Sequence, residues 1–265
     1  SIHPNQCRPF KVILDELADF ILDDRLVILG GNDNEEGPHK YSDKGEATTT
    51  GLPEDAGRTI FVCRKDPVYD YWVFFWPGSG AKMRLTLGND NIAPERASVP
   101  ELVDVKINDY CPFNCSFCYQ GSTAQDGHAS RSDISSLLRH LRAHKVFEVA
   151  LGGGEPTMHP EFLEILTDAR EEGIVPNFTT KNIAWLKDKA FAQKVMAQAG
   201  DFAFSIDKAS DIEMLSALLT VNGISKSRVS LQVVMGTMSK WEFQKIVEAA
   251  GAAKIRLTLL GYKTT

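Results

Sequence analysis

The sequence predicts an α/β fold with a parallel sheet from residue 102 onward, and three observations lead to that prediction. Apolar runs typical of strands begin near Leu102, Val146, Ile174, Asp201, Arg228 and Lys254. Apolar residues between these runs recur at helical spacing, as in the segment 162–169. Successive runs begin 44, 28, 27, 27 and 26 residues apart, and units of such constant size indicate right-handed crossovers between parallel strands. A doubly wound open sheet is an alternative built from the same units.

The first strand–helix unit is about 16 residues longer than the second, and its excess carries three closely spaced cysteines. In barrels of βα units the chemistry lies at the C-terminal ends of the strands. An insertion after the first strand is therefore at the expected place for a site. The sequence predicts that this domain spans residues 102–265 and ends directly after its sixth strand, which leaves the last barrel helix out of the sequence.

Residues 1–101 are predicted to form a separate α+β region in which no catalytic motif is evident. An apolar face along Phe10 to Leu26 predicts a surface helix. The polar, glycine-rich segment 30–57 is too long for an ordinary connection, so it is predicted to be a flexible loop or lid at the barrel mouth. Strands are expected at Thr59–Arg64, Val68–Trp76 and Lys82–Leu87, followed by a linker at 94–100.

The composition narrows the class of protein. The chain is 43% hydrophobic and 24% charged, as in soluble globular proteins. A net charge of −6 gives no global attraction to nucleic acid. The sequence shows no signal-peptide pattern and no apolar stretch of about 18 residues, so neither secretion nor a membrane span is expected. Five cysteines, three of them clustered, favour a reducing compartment, the cytoplasm. The first residue is serine, and we expect an initiator segment or tag to have been removed.

The three clustered cysteines are Cys111, Cys115 and Cys118, in the spacing Cys-x3-Cys-x2-Cys. Iron–sulfur clusters are normally held by four thiolates. A compact group of three, with no fourth cysteine nearby, indicates a cluster with one iron open to another ligand. The alternative is structural zinc held by the three cysteines and a histidine, for which His128 lies ten residues downstream.

A second motif, Leu151-Gly-Gly-Gly-Glu155-Pro156, follows the strand that begins near Val146. It predicts a strand that ends in a glycine-rich turn and leads into a helix. Glycines let the backbone approach a ligand without an intervening side chain, and a carboxylate beside them can pair with an ammonium group. A glycine triplet alone is most often an ordinary βα turn, but here it lies 35 residues after the cysteines.

The cysteine spacing, with aromatic Phe117 before the last cysteine, resembles the radical S-adenosylmethionine (radical SAM) family, and residues 102–260 are covered by the resemblance. It implies a partial (β/α)6 TIM-like barrel with an N-terminal α+β appendage. It also implies that the three cysteines hold a [4Fe-4S] cluster whose open iron chelates S-adenosyl-L-methionine (SAM). The reduced cluster then splits SAM to a 5′-deoxyadenosyl radical, which abstracts hydrogen from a substrate. Gly153, Gly154 and Glu155 match the segment that binds the SAM amino group, and Phe117 matches an aromatic residue that lies against the adenine.

Residues at the ends of the third and fourth strands are further candidates by resemblance. Thr180 matches part of a Thr-Thr-Asn-Gly pattern, from which Lys181 and Asn182 depart. Ser205 and Asp207 match a Ser-x-Asp pattern that places the serine near the SAM ribose or carboxylate. The alternative is a polar strand end in which Asp207 or Ser210 caps the next helix. Lys181 and Lys208 are either solvated lysines of the barrel rim or contacts for an anionic substrate.

The resemblance predicts an iron-dependent enzyme, an oxidoreductase that needs an electron donor such as a flavodoxin or ferredoxin. Peptide modification and nucleotide modification both remain open as its reaction. The alternative of a different class is a non-catalytic zinc-binding scaffold on a barrel fold.

Overall fold

The computed structural model describes residues 26–29, 39–41, 47–49, 59–69, 71–86 and 97–262. The chain divides into two compact units, Ser1–Ser98 and Val99–Thr265. The division predicted from the sequence, with residues 1–101 ahead of a barrel domain at 102–265, stays a prediction.

The N-terminal unit contains a six-stranded sheet in its described part. Its strands are β1 (Leu26–Leu29), β2 (His39–Tyr41), β3 (Ala47–Thr49), β4 (Thr59–Lys65), β5 (Tyr71–Trp76) and β6 (Ala81–Thr86). The strand order is β3-β2-β1-β4-β5-β6. β1 pairs parallel with β4, whereas the other neighbours pair antiparallel.

Three short strands of this sheet differ from the sequence prediction. β1 begins at Leu26, where the predicted helix ends, and β2 and β3 lie within the predicted loop 30–57. β2 and β3 pair with each other in register from His39–Thr49 to Tyr41–Ala47, so backbone hydrogen bonding there does not depend on an apolar pattern. The rest of the predicted helix and loop lies outside the described residues.

The strand predicted at Val68–Trp76 begins later, because a turn precedes it. The Asp66 carboxylate accepts hydrogen bonds from the backbone amides of Val68 (3.0 Å) and Tyr69 (2.9 Å) and from Ser98 Oγ (2.5 Å). A carboxylate bonded to the amides two and three residues ahead holds the chain in a turn. Along β5 the side chains then alternate between fully buried and half-buried, so one face is more completely covered than the other.

The second unit alternates strands and helices without interruption. Its strands are β7 (Leu102–Asn108), β8 (Glu148–Gly153), β9 (Val175–Thr180), β10 (Phe202–Ser205), β11 (Val229–Val234) and β12 (Arg256–Leu260). The helices between them are α1 (Arg131–Ala143), α2 (Phe162–Glu171), α3 (Lys189–Gln198), α4 (Ala209–Val221) and α5 (Lys240–Ala253). All of these strands begin within two residues of the predicted starts.

The strand order identifies the sheet as a partial barrel. The six strands lie in sequence order, β7 to β12, and every neighbouring pair is parallel. A doubly wound sheet reverses its strand order at a switch point, and no reversal occurs between β7 and β12. The predicted α/β partial barrel is therefore confirmed, and the doubly wound alternative is wrong.

One continuous hydrophobic core joins the strands of this unit to their helices. Phe178, Phe202, Phe204 and Trp185 form its aromatic part, in which Phe178 and Phe202 stack at 5.3 Å and Trp185 and Phe204 at 6.3 Å. Such burial stabilises the sheet and holds the C-terminal ends of its strands in place. Among the described helices, none combines the length and apolar character that a membrane span requires.

Candidate functional site

The cysteines lie on a long loop between β7 and α1 that is closed at its base by backbone hydrogen bonds. The Asp109 amide donates to the Gly127 carbonyl (2.9 Å), and the Cys111 amide donates to the Thr123 carbonyl (2.9 Å). Because the entering and leaving segments are bonded to each other, the loop projects as one unit from the C-terminal end of β7. This is the end at which barrel sites are built.

Cys111, Cys115 and Cys118 are free, half-buried thiols on this loop. Burial raises the pKa of the Cys111 thiol; a backbone hydrogen bond at Phe113 opposes that rise, and the Glu155 carboxylate and the other two cysteines add to it. Bound iron would favour the thiolate form, since the thiolate is the metal ligand.

The metal-binding donors of this loop are its three thiols. Among the described His, Cys, Asp and Glu side chains, no three converge closely enough to hold one ion. Structural zinc needs four ligands around a single centre, whereas the thiolates of an iron–sulfur cluster bind separate irons. Three half-buried thiols on one loop are the type and number of donors expected for a [4Fe-4S] cluster with one open iron.

The glycine-rich turn after β8 is bonded directly to the start of the cysteine loop. The Gly154 amide donates to the Asn108 carbonyl and the Glu155 amide to the Tyr110 carbonyl, both at 2.8 Å. A Cβ on Gly153 would lie 2.1 Å from the Asn108 carbonyl oxygen, and one on Gly154 would lie 2.1 Å from that of Tyr110. Gly153 also has φ +114°, which side chains rarely adopt. Both glycines are thus needed for contact between the two motifs, whatever they do for a ligand.

The Glu155 carboxylate is 2% exposed and held by four hydrogen bonds. Its Oε1 accepts from Thr180 Oγ1 (2.6 Å), Thr157 Oγ1 (2.6 Å) and the Thr157 amide (3.1 Å). Its Oε2 accepts from the Lys181 amide (2.8 Å). Each carboxylate oxygen has two lone pairs, so Oε2 retains capacity for an ammonium group. Thr180 helps to hold Glu155 in this arrangement, and its predicted contact with a ligand stays a prediction.

Asn108 and His128 lie together at the base of the cysteine loop. Asn108 Nδ2 donates to the Glu155 carbonyl (3.0 Å) and lies 3.5 Å from His128 Nδ1. The His128 ring packs 5.4 Å from the Tyr110 ring and 5.1 Å from the His159 ring. Burial, and then His159, lowers the pKa of His128. These contacts engage His128 with the loop base, and so give no support to its role as a zinc ligand.

Lys181 reaches into the site between the cysteine loop and β10. Its Nζ donates to Cys115 Sγ (3.2 Å), forms an ion pair with Asp207 and lies 5.8 Å from the centre of the Phe117 ring. Burial works to lower the pKa of Lys181, but hydrogen bonds to Asp207 and Cys115 outweigh it, and the pKa is raised. The site thus includes a cation that the sequence analysis treated as either a rim lysine or a substrate contact.

The candidates at the end of β10 differ in what the structure assigns to them. Ser205 is the last residue of β10 and is half-buried. Lys208 occupies the N-cap position of α4, which has no side-chain cap. Asp207 pairs with Lys181 instead, so its proposed role as a helix cap is wrong. Lys208 itself is exposed.

Sequence reasoning missed Asn108, Tyr110 and Thr157, and underrated Lys181. Asn108 is a buried polar residue at the end of β7, just before the cysteines, and a polar residue at that place is a signal that could have been used. The contributions of Tyr110 and Thr157 are a backbone carbonyl and a hydroxyl close to Glu155 in space. No pattern in the sequence predicts that Tyr110 or Thr157 would take part in the site.

Comparison with known proteins identifies the class to which this fold and site belong. The sequence profile of the Radical SAM superfamily matches residues 105–259, which is more than half of the chain. The chain therefore belongs to the radical SAM superfamily of enzymes.

The curated relatives match short parts of the chain. A mycofactocin maturase, MftC, of Mycobacterium ulcerans is 28% identical over 101 residues, 38% of this chain and 27% of the relative. A PqqA peptide cyclase of Rhodopseudomonas palustris is 24% identical over 153 residues, 49% of this chain and 41% of the relative. A probable GTP 3′,8-cyclase of Saccharolobus islandicus is 28% identical over 92 residues, 34% of this chain and 30% of the relative. The chain thus spans less than half the length of each.

The solved structures that resemble this chain support the fold. The crystal structure of Streptococcus suis SuiB matches 81% of this chain and 63% of SuiB, with a TM-score of 0.57 and 15% identity. SuiB bound to S-adenosylmethionine matches 64% of this chain and 42% of SuiB, with a TM-score of 0.53 and 20% identity. At these identities the likeness concerns the fold alone.

Proposed function

We propose that this chain carries the catalytic core of a radical SAM enzyme. Cys111, Cys115 and Cys118 hold a [4Fe-4S] cluster, and the segment 153–155 binds the methionine end of SAM. When bound, the reduced cluster and SAM supply a 5′-deoxyadenosyl radical that abstracts hydrogen from the substrate. The protein contributes by holding these groups in place, excluding water and directing the reaction.

The observation that carries this proposal is the bonding of the two motifs into one unit. The amides of Gly154 and Glu155 donate to the carbonyls of Asn108 and Tyr110, directly ahead of the first cysteine. These hydrogen bonds couple the start of the cysteine loop to the carboxylate proposed to bind SAM. Such coupling would keep a cluster on the cysteines and SAM at Glu155 in a fixed relation to each other.

The remaining residues at the strand ends have supporting roles in this proposal. Thr180 keeps the Glu155 carboxylate turned toward the site through its 2.6 Å hydrogen bond. The ring of Phe117 offers an apolar face next to the cysteines for the adenine. Ser205 and Asp207, at and just beyond the end of β10, line the side where the ribose or carboxylate of SAM would lie.

For the substrate we propose a peptide ahead of a nucleotide. Two of the curated relatives named above, MftC and the PqqA peptide cyclase, match 101 and 153 residues, whereas the GTP 3′,8-cyclase matches 92. The electron would come from a flavodoxin or ferredoxin. We place the protein in the cytoplasm, because thiolate-held clusters and free cysteines persist in reducing compartments.

The cluster assignment is tested by removing its ligands. After anaerobic reconstitution, the triple variant Cys111→Ala, Cys115→Ala, Cys118→Ala should lack the iron of wild type and its broad absorbance at about 400 nm. The double variant Cys7→Ser, Cys63→Ser is the control and should keep both, since neither residue has ligand spacing. Retention of iron by the triple variant would contradict the proposal. A colourless, zinc-replete wild-type chain would establish the zinc scaffold instead.

The SAM assignment is tested with Glu155→Ala. This change removes an acceptor for the SAM ammonium and no metal ligand, so iron content should be unchanged. One charge-assisted hydrogen bond contributes roughly 1.5–3 kcal/mol, equivalent to about 10- to 150-fold in affinity. SAM titration into reconstituted wild type and variant measures the loss. Equal SAM affinities for wild type and Glu155→Ala would show that Glu155 does not bind SAM.

A further inference from the structure

Lys181 is held against one particular cysteine of the site. Its backbone amide donates to Glu155 Oε2 (2.8 Å), which anchors the residue directly after β9. Its ammonium then extends to the Cys115 sulfur, with Nζ and Sγ 3.2 Å apart. Asp207, on the neighbouring strand end, forms an ion pair with the same ammonium.

The surroundings of this ammonium distinguish it from an ordinary surface lysine. The Lys181 side chain is 23% exposed, although lysine is almost always solvated. A carboxylate, a sulfur atom and the face of the Phe117 ring each border it. Lys187, six residues further on, is exposed. Lys181 is therefore a half-buried cation in contact with Cys115.

A cation that donates a hydrogen bond to a cluster thiolate changes the electronic properties of the cluster. Net charge and hydrogen bonds to the sulfurs are among the factors that set iron–sulfur reduction potentials. On one-electron reduction a [4Fe-4S]2+ cluster becomes [4Fe-4S]+, and the added negative charge is shared with the thiolates. A nearby ammonium stabilises that reduced form more than the oxidised form.

We propose that Lys181 raises the reduction potential of the cluster by donating a charged hydrogen bond to its ligand Cys115. The proposal rests on the proposed function, because it needs the cluster. It makes Lys181 a residue that acts through Cys115, without direct contact with SAM or substrate. The reaction concerned is the transfer of one electron from an external donor to the cluster, with no bond made or broken in the protein.

The experiment is an anaerobic potentiometric titration of the reconstituted protein without SAM, followed by electron paramagnetic resonance of the reduced cluster. Lys181→Met removes the charge and the hydrogen bond at similar side-chain length. We expect its equilibrium constant for reduction to fall about tenfold, which is about 59 mV for one electron. Lys181→Arg, which keeps charge and donors, should stay closer to wild type. Lys187→Met, which removes an exposed charge, should leave the potential unchanged.

Each other outcome contradicts the proposal. Equal potentials for wild type and Lys181→Met would show that the ammonium does not act on the cluster. A loss of SAM affinity at unchanged potential would assign Lys181 to the carboxylate of SAM. A folded Lys181→Met that cannot bind iron would make the lysine a requirement for assembly and not a tuning group. Failure of wild type to assemble a cluster would instead refute the proposed function itself, so the two failures are distinguishable.

Discussion

Gly154→Ala tests whether contact between the glycine turn and the cysteine loop is essential. The new methyl group would lie 2.1 Å from the Tyr110 carbonyl oxygen, 2.6 Å from its carbon and 2.8 Å from the Asp109 carbonyl carbon. All three are backbone atoms, so the turn must move away from the loop. That movement breaks the hydrogen bonds from the amides of Gly154 and Glu155, both 2.8 Å long. At about 0.5–1.5 kcal/mol for each bond, the loss is roughly 1–3 kcal/mol.

The matched control is Gly152→Ala, two residues earlier and within β8. A Cβ on Gly152 meets no atom within 4 Å, so this variant carries the same change in unfolded-chain entropy, about 0.4–1 kcal/mol, without the clash. In urea unfolding, the free energy of unfolding of Gly154→Ala should be roughly 1–3 kcal/mol lower than that of Gly152→Ala. After reconstitution, SAM affinity should fall in Gly154→Ala alone. If the two variants are equally stable and bind SAM equally well, the inferred coupling of the motifs is wrong.

Three further changes test other parts of the structure. Thr180→Val removes one hydrogen bond to Glu155, so SAM affinity should fall by about 2- to 13-fold (0.5–1.5 kcal/mol) in a titration while iron content stays constant. Phe204→Ala empties a fully buried position that stacks on Trp185, and urea unfolding should show a loss of about 3–5 kcal/mol. Burial opposes ionisation of Asp66, but hydrogen bonds led by that from Ser98 hold its pKa well below the usual range. Asp66→Asn should therefore destabilise the protein above about pH 4 and progressively less as the pH falls below that value, whereas a pH-independent difference would argue against this linkage.

The sequence by itself determined the barrel, the cysteine loop and the glycine turn. Strand starts spaced 26 to 28 residues apart reflect the similar lengths of the strands, helices and crossovers. This repeat can therefore be recognised in the sequence without knowing how the side chains pack. The cysteine motif could be found without the structure because its three members lie between residues 111 and 118 of the chain. In the N-terminal unit, β2 and β3 were missed because three-residue strands are held by backbone pairing and carry little side-chain pattern.

Only the tertiary structure decided what the candidate residues do. Thr180 was predicted to belong to the site because it ends the third strand of the barrel. Its hydrogen bond to Glu155, 25 residues earlier, is visible only in the structure. Asp207 was predicted to be either a SAM contact or a helix cap, and in the structure it forms an ion pair with Lys181, 26 residues earlier. Gly153 and Gly154 are constrained by carbonyl oxygens more than 40 residues away. Parallel strands bring such positions together at one edge of the sheet, and the distances that result depend on register and packing, which no local sequence pattern encodes.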